Sequence, residues 1–173
     1  MTRQTIAPPD AMPHQAPMTD RIAQIHIDDA TLPIPTAEIE QERAVAIFDL
    51  LEDNSFCLAA DGAPAGPYDL SLAIRERRLV FDISTGTGKA GEFHLSLGPF
   101  KQVVKDYWQI CAAYFDAVKK LPPSQIEAID MARRGIHNEG ARILQERLEG
   151  KATVDIDTAR RLFTLICVLH FGG

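Results

Sequence analysis

A chain of 173 residues suits one domain and is long enough to bury a core without disulfides or a structural metal. It is 46% apolar and 24% charged, and its formal net charge of −6 argues against a nucleic-acid backbone as partner, whose binding draws on a dense cationic surface, while leaving room for a local basic patch. Cys57, Cys111 and Cys167 are far apart and form neither a disulfide framework nor a CxxC metal pair, which points to a reducing compartment. No apolar run approaches the roughly 18 residues of a membrane span, and the amino terminus lacks a secretory pattern. The expectation is a cytoplasmic protein with neither membrane nor nucleic acid as partner.

Residues 1–19, MTRQTIAPPDAMPHQAPMT, carry four prolines and no apolar periodicity, so a disordered tail is expected ahead of a single domain over 20–173. From Arg21 to Asp28, Ile22, Ile25 and Ile27 are interrupted by polar residues, an approximate strand with His26 facing solvent. The proline-broken TLPIP leads to a helix over Ala37–Asp53. Its apolar face comprises Ile39, Val45, Ala46, Phe48, Leu50 and Leu51, its wet face Glu38, Glu40, Glu42 and Arg43, and a left-handed Asn54 ends it.

Tyr68–Ile74 and Leu79–Ile83 alternate around the charged turn Arg75-Glu76-Arg77-Arg78, a hairpin with one buried face. Gly86, Gly88 and Lys89 look like a phosphate cradle, but the spacing is not GxxxxGK[ST] and a strand, Phe93–Leu97, follows instead of a helix. Ser84–Gly91 therefore reads as a flexible connection. A helix from Phe100 to Lys120 then carries a broad apolar arc, including Tyr107, Tyr114 and Phe115, with Trp108 toward its edge; aromatics at this spacing read as core.

The longest helical pattern runs from Ser124 to Leu148, with Ile129, Ile136 and Ile143 every seven residues. Pro122 and Pro123 bar an earlier start, and Ser124 with Glu127 spells a capping box. Its middle holds Gly135 and Gly140, each costing about 1 kcal/mol relative to alanine, which points to a close backbone approach, a kink or a break. Between them, and just before, stand Arg133, Arg134, His137, Asn138 and Glu139, the candidate ligand-binding cluster. Asp130 and Arg134, four apart, also suit a plain surface salt bridge.

Beyond Glu149-Gly150-Lys151, Thr153–Ile156 forms a short extended piece and Asp157 caps a last helix, Thr158–His170. Leu162, Phe163, Leu165, Ile166, Cys167, Val168 and Leu169 leave that helix almost no polar side, so it is either buried nearly all round or held in a subunit interface. Arg160 and Arg161 sit in its first turn, where the dipole disfavours cations, and so require a carboxylate partner or a bound anion.

Together these elements describe an α+β domain: a small, mainly antiparallel sheet of three to four strands packed with four helices, the last one buried. The segments ERAVAIFDLLEDNSF (42–56), RLVFDI (78–83), IEAIDMARRGIHNEGARIL (126–144) and DTARRLFTLICVLH (157–170) resemble an uncharacterised protein family of alphaproteobacteria. The resemblance covers Asp20 to the carboxy terminus and implies no known activity. Ala132, where relatives often carry glycine, and Trp108, where phenylalanine is commoner, depart from the pattern.

Two functional classes follow. The first is a binding or regulatory protein, self-associating through the C-terminal helix. The second is a small enzyme or receptor for a phosphate- or carboxylate-bearing ligand, held by Arg133, Arg134, His137, Asn138 and Glu139 with Arg160 or Arg161. His137 and Glu139 diverge by about 200° on a helix and meet only if a glycine breaks it. No cofactor or metal is expected, because His26, His94, His137 and His170 lie in four different elements without an HxH or HxxxH pair.

Overall fold

The computed structural model describes residues 19–30 and 32–170; the tail expected over 1–19 falls, apart from Thr19, outside them. In chain order the elements are the strand Ile22–Ile27 (β1), the helix Ala37–Glu52 (α1), the short strand Phe56–Leu58 (β2), and the strands Tyr68–Arg75 (β3), Arg78–Thr85 (β4) and Gly88–Ser96 (β5). A 3-10 turn at Gly98–Phe100 leads into the helices Lys101–Lys120 (α2) and Pro123–Arg147 (α3), followed by the short strand Ala152–Val154 (β6) and the helix Ile156–His170 (α4).

The main sheet has the order β1-β3-β4-β5. β3, β4 and β5 form an antiparallel meander, and β1 joins its edge parallel to β3. The fold is thus α+β, with four helices and a mainly antiparallel four-stranded sheet. Register follows from the period-two pattern. Leu70 lies opposite Ile83 and Leu72 opposite Phe81, all buried, so a slip by one residue would turn the whole apolar set to solvent.

α4 is the axis of the helical layer. It packs on α1, α2, α3 and β3, and every residue from Leu162 to Leu169 is buried. Each large apolar side chain enclosed there contributes about 1.5–3 kcal/mol. Of the two destinations open to α4, enclosure within its own chain is the one the fold supplies, and its apolar surface is already covered.

Several local expectations are corrected. α1 buries Ile39, Ala46 and Leu50 but leaves Val45 and Phe48 exposed, because its inner face is the one that meets α4 and β1. Ser84–Gly91 is not a loose connection. β4 runs to Thr85 and β5 starts at Gly88, leaving Gly86 and Thr87 as the turn, with Gly88 at a φ of 129° that disfavours side chains. α3 begins at Pro123, and the Pro122 carbonyl takes the first amides in place of a Ser124–Glu127 box. The cap of α4 is Asp155, whose Oδ1 accepts from the Thr158 amide at 3.0 Å, in place of Asp157. β2 and β6 pair as a separate two-stranded sheet, three residues each and too short for a periodic signal.

Asn54 does not end α1 by a left-handed backbone. Its side chain accepts from the Ile22 amide at 2.7 Å and donates to the carbonyls of Ile22 and Leu50 at 2.9 and 2.8 Å, tying the first residue of β1 to the end of α1. Asn54→Ala is expected to cost about 2 kcal/mol in urea unfolding, since it strips partners from half-buried backbone groups. Asn54→Gly should cost as much. If glycine restores wild-type stability, the residue serves through its backbone after all.

Candidate functional site

The amino-terminal half of α4 and the outer flank of α1 enclose a cleft of about 460 Å³, walled by α3 and the end of α2. Helical spacing builds it. Arg133 and His137, four apart, come from α3; Asp157, Arg160, Arg161 and Thr164 come from successive turns of α4; Glu42, Val45 and Asp49 come from α1; Tyr114 and Phe115 come from α2.

α3 is continuous through Gly135 and Gly140, so Arg134 and Glu139 point away from the cleft and are exposed. Arg134 pairs with Asp130 at 3.1 Å on the outer surface. Asn138 lies one step behind the cleft, accepting from Arg160 Nε at 2.6 Å. Of the seven candidate residues, Arg133, His137, Arg160 and Arg161 line the cleft, Asn138 supports it, and Arg134 and Glu139 stand outside.

The floor is a connected polar network. Glu42 Oε2 accepts from the fully buried Tyr107 hydroxyl at 2.7 Å, and Glu42 Oε1 pairs with Arg133 at 3.5 Å. Arg133 also reaches Asp130 at 3.2 Å and lies over the Tyr114 ring, 4.6 Å from its centroid. His137 packs against Tyr107 with ring centroids 5.0 Å apart, and its Nε2 is 2.7 Å from Thr164 Oγ1. The Thr164 hydroxyl donates to the Arg160 carbonyl at 3.3 Å. Both bonds are satisfied together when Nε2 carries the imidazole proton and Nδ1 the lone pair.

Electrostatics keep these groups in fixed states. Burial, then the Arg133 and Arg160 guanidiniums, pushes His137 down to about 4, so the imidazole is neutral at pH 7. Burial, with Cys111 and Glu42 adding to it, holds the Tyr107 phenol far above its ordinary value, so it remains a donor. Cys111 is pushed up to about 11 by burial and then by Glu42, and burial raises Cys167 and Cys57 as well. A raised thiol is a poor nucleophile. Chemically the cleft offers hydrogen bonds and charge, with no activated nucleophile beside a base. Among the described residues no three His, Cys, Asp or Glu side chains converge as metal ligands.

The cleft's charges are nearly consumed internally. Arg133 is paired with Glu42, and Arg160 with Asp157 at 2.6 Å. Arg161 donates to the Asp53 carbonyl, and among the described residues neither Arg161 nor the Asp49 carboxylate has an oppositely charged side chain within 4.0 Å. The carboxylate and anion partners expected for Arg160 and Arg161 thus divide: Asp157 serves the first, and the second is left to a backbone oxygen.

Glu42, Tyr107 and Thr164 were missed from the sequence. Glu42 read as part of a wet helix face, and Thr164 sits in an apolar run. Tyr107 did carry a signal, because a tyrosine inside an otherwise apolar arc needs a partner for its hydroxyl.

The model of the uncharacterised protein family UPF0262 matches residues 19–172. A UPF0262 protein of Jannaschia sp. (strain CCS1) is 78% identical over 153 residues, covering 88% of this chain and 98% of its own length. Those of Roseobacter denitrificans and Dinoroseobacter shibae are 75% identical over 157 residues and 76% over 156, each covering 88% of this chain and 99% and 98% of their own lengths. No solved structure matches. With the match spanning the whole described fold and the cleft within it, the chain belongs to the uncharacterised protein family UPF0262.

Proposed function

We propose that this protein is a non-catalytic binding protein of the cytoplasm whose cleft between α1 and α4 takes a small carboxylate- or phosphate-bearing ligand. The observation that carries the reading is the convergence of Arg133, Arg160 and Arg161 with neutral His137 on one cleft of about 460 Å³, a volume within the ordinary range for small-molecule sites. Arg161 is the group to meet the anion, because its guanidinium has no competing carboxylate. Asp49 favours a ligand that also carries a cation, since two of the three arginines lining the cleft are already matched to acids. Cytoplasmic placement is supported by three cysteines that are free in the fold, and among the described residues no helix is long and apolar enough to cross a membrane.

Calorimetric titration of the full chain with amino acids, dicarboxylates and phosphate monoesters tests this reading. At least one should bind saturably, and Arg161→Gln should weaken it by about tenfold or more, the worth of one charge-assisted hydrogen bond, in a protein that still unfolds cooperatively although it loses the bond to the Asp53 carbonyl. Absence of binding across all three ligand classes, or an Arg161→Gln protein that binds like the wild type, would overturn it.

A further inference from the structure

The other end of α4 carries a second concavity of different character. A groove of about 630 Å³ lies between the β3–β4 turn, the start of α2 and the last turn of α4. Its floor is apolar, with Ile74, Leu97 and Leu169, and its polar rim includes Arg77, Lys101 and His170. A neighbouring hollow of about 440 Å³ shares Lys101 and His170 and extends along α2 past Lys105 to Trp108. No aspartate or glutamate lines either one, in a chain whose net charge is −6. Among the described residues Arg77, Lys101 and Lys105 take part in no ion pair.

The β3–β4 turn places Glu76 and Arg77 at φ of 52° and 63°, the left-handed region where Asn-Gly is the cheap choice for a two-residue hairpin. Glycine would adopt the backbone of position 77 more cheaply, so arginine is the costlier choice there.

We propose that this groove binds an amphipathic carboxylate, its head group held by Arg77 and Lys101 and its aliphatic body laid over Ile74 and Leu97, with Trp108 in the adjoining hollow as a reporter. Cationic rim and apolar floor divide the two ends of such a molecule between them, and the volume suits a chain of modest length. The site is separate from the α1–α4 cleft and shares no lining residue with it.

Octanoate titrated into the full chain, followed through the fluorescence of the single tryptophan, tests the proposal, with octan-1-ol as the neutral counterpart. Octanoate should quench or shift Trp108 emission saturably and bind about tenfold more tightly than octan-1-ol, the worth of a charge-assisted contact. Lys101→Gln and Arg77→Gly should each weaken octanoate by about tenfold, and Arg77→Gly should at the same time raise the melting temperature. Lys119→Gln, at the far end of the same helix, should leave binding unchanged. Equal affinity for alcohol and carboxylate, wild-type affinity in both rim variants, or binding to phosphatidylglycerol vesicles without binding to octanoate would each overturn it. An Arg77→Gly protein that is less stable than the wild type would also count against it, since the arginine would then be structural.

Discussion

Between pH 6.5 and pH 4 the folded chain is expected to lose about 3 kcal/mol of stability through His137 alone, and a His137→Gln protein to lose none of that share. The ordinary histidine value of 6.5 falls to about 4 in the fold, first through burial and then through Arg133 and Arg160. At 1.36 kcal/mol per pH unit that displacement amounts to about 3 kcal/mol. Above pH 6.5 the imidazole is neutral in both folded and unfolded chains, and stability is insensitive to it. Between 6.5 and 4 the unfolded chain takes up a proton that the folded chain does not, so stability falls as pH falls. Below 4 both are protonated and the loss is complete. Glutamine can still hydrogen-bond to Thr164 but does not titrate. Urea unfolding of both proteins across this range isolates the effect, and parallel stability profiles would show that the imidazole takes up its proton inside the fold without penalty.

Gly140→Leu is expected to destabilise the fold by about 3 kcal/mol, at the upper end for an overpacked core. A Cβ at position 140 would lie 2.5 Å from Cε2 and Cζ of Phe163 and 2.6 Å from Cδ2. Phe163 is fully buried between Tyr107 and His137, so its ring has nowhere to retreat. Gly140→Ala should show the same sign at smaller size, because alanine recovers about 1 kcal/mol of helix propensity. Gly135 is the internal control. A Cβ there meets nothing within 4 Å, so Gly135→Ala should stabilise by about 1 kcal/mol. One helix and one substitution should therefore give opposite signs five residues apart. Gly140→Ala with Phe163→Leu should be less harmful than additivity implies, since removing the ring relieves the clash. If both alanine variants are stabilised alike, α3 and α4 are not in contact at this point.

The two glycines show where local reading stops. Their cost in a helix was visible in the sequence, and so was the choice among close approach, kink and break. Gly140 is a close approach and neither glycine is a break, because α3 is continuous through both and only Gly140 lies against α4. The same limit applies to the candidate cluster. Arg133, Arg134, His137, Asn138 and Glu139 are consecutive or nearly so, and one unbroken helix distributes them over opposite sides. The cleft therefore takes Arg133 and His137 and leaves Arg134 and Glu139 in solvent. Glu42 reaches Tyr107 across 65 residues and Thr164 reaches His137 across 27, separations that no spacing rule addresses.

What the amino-acid order determined by itself was what neighbours along the chain govern: the period of the helices and of the longer strands, the hairpin with its charged turn, the buried character of α4, and the family. Those rest on side-chain direction, which repeats every 2 or 3.6 residues whatever lies opposite. Which face of α1 is inner, which glycine meets a ring, and which arginines share a cleft depended on packing three helices around a fourth, apolar one. There the partners come from distant segments, and burial of the whole surface, not the preference of any one stretch, selects among them.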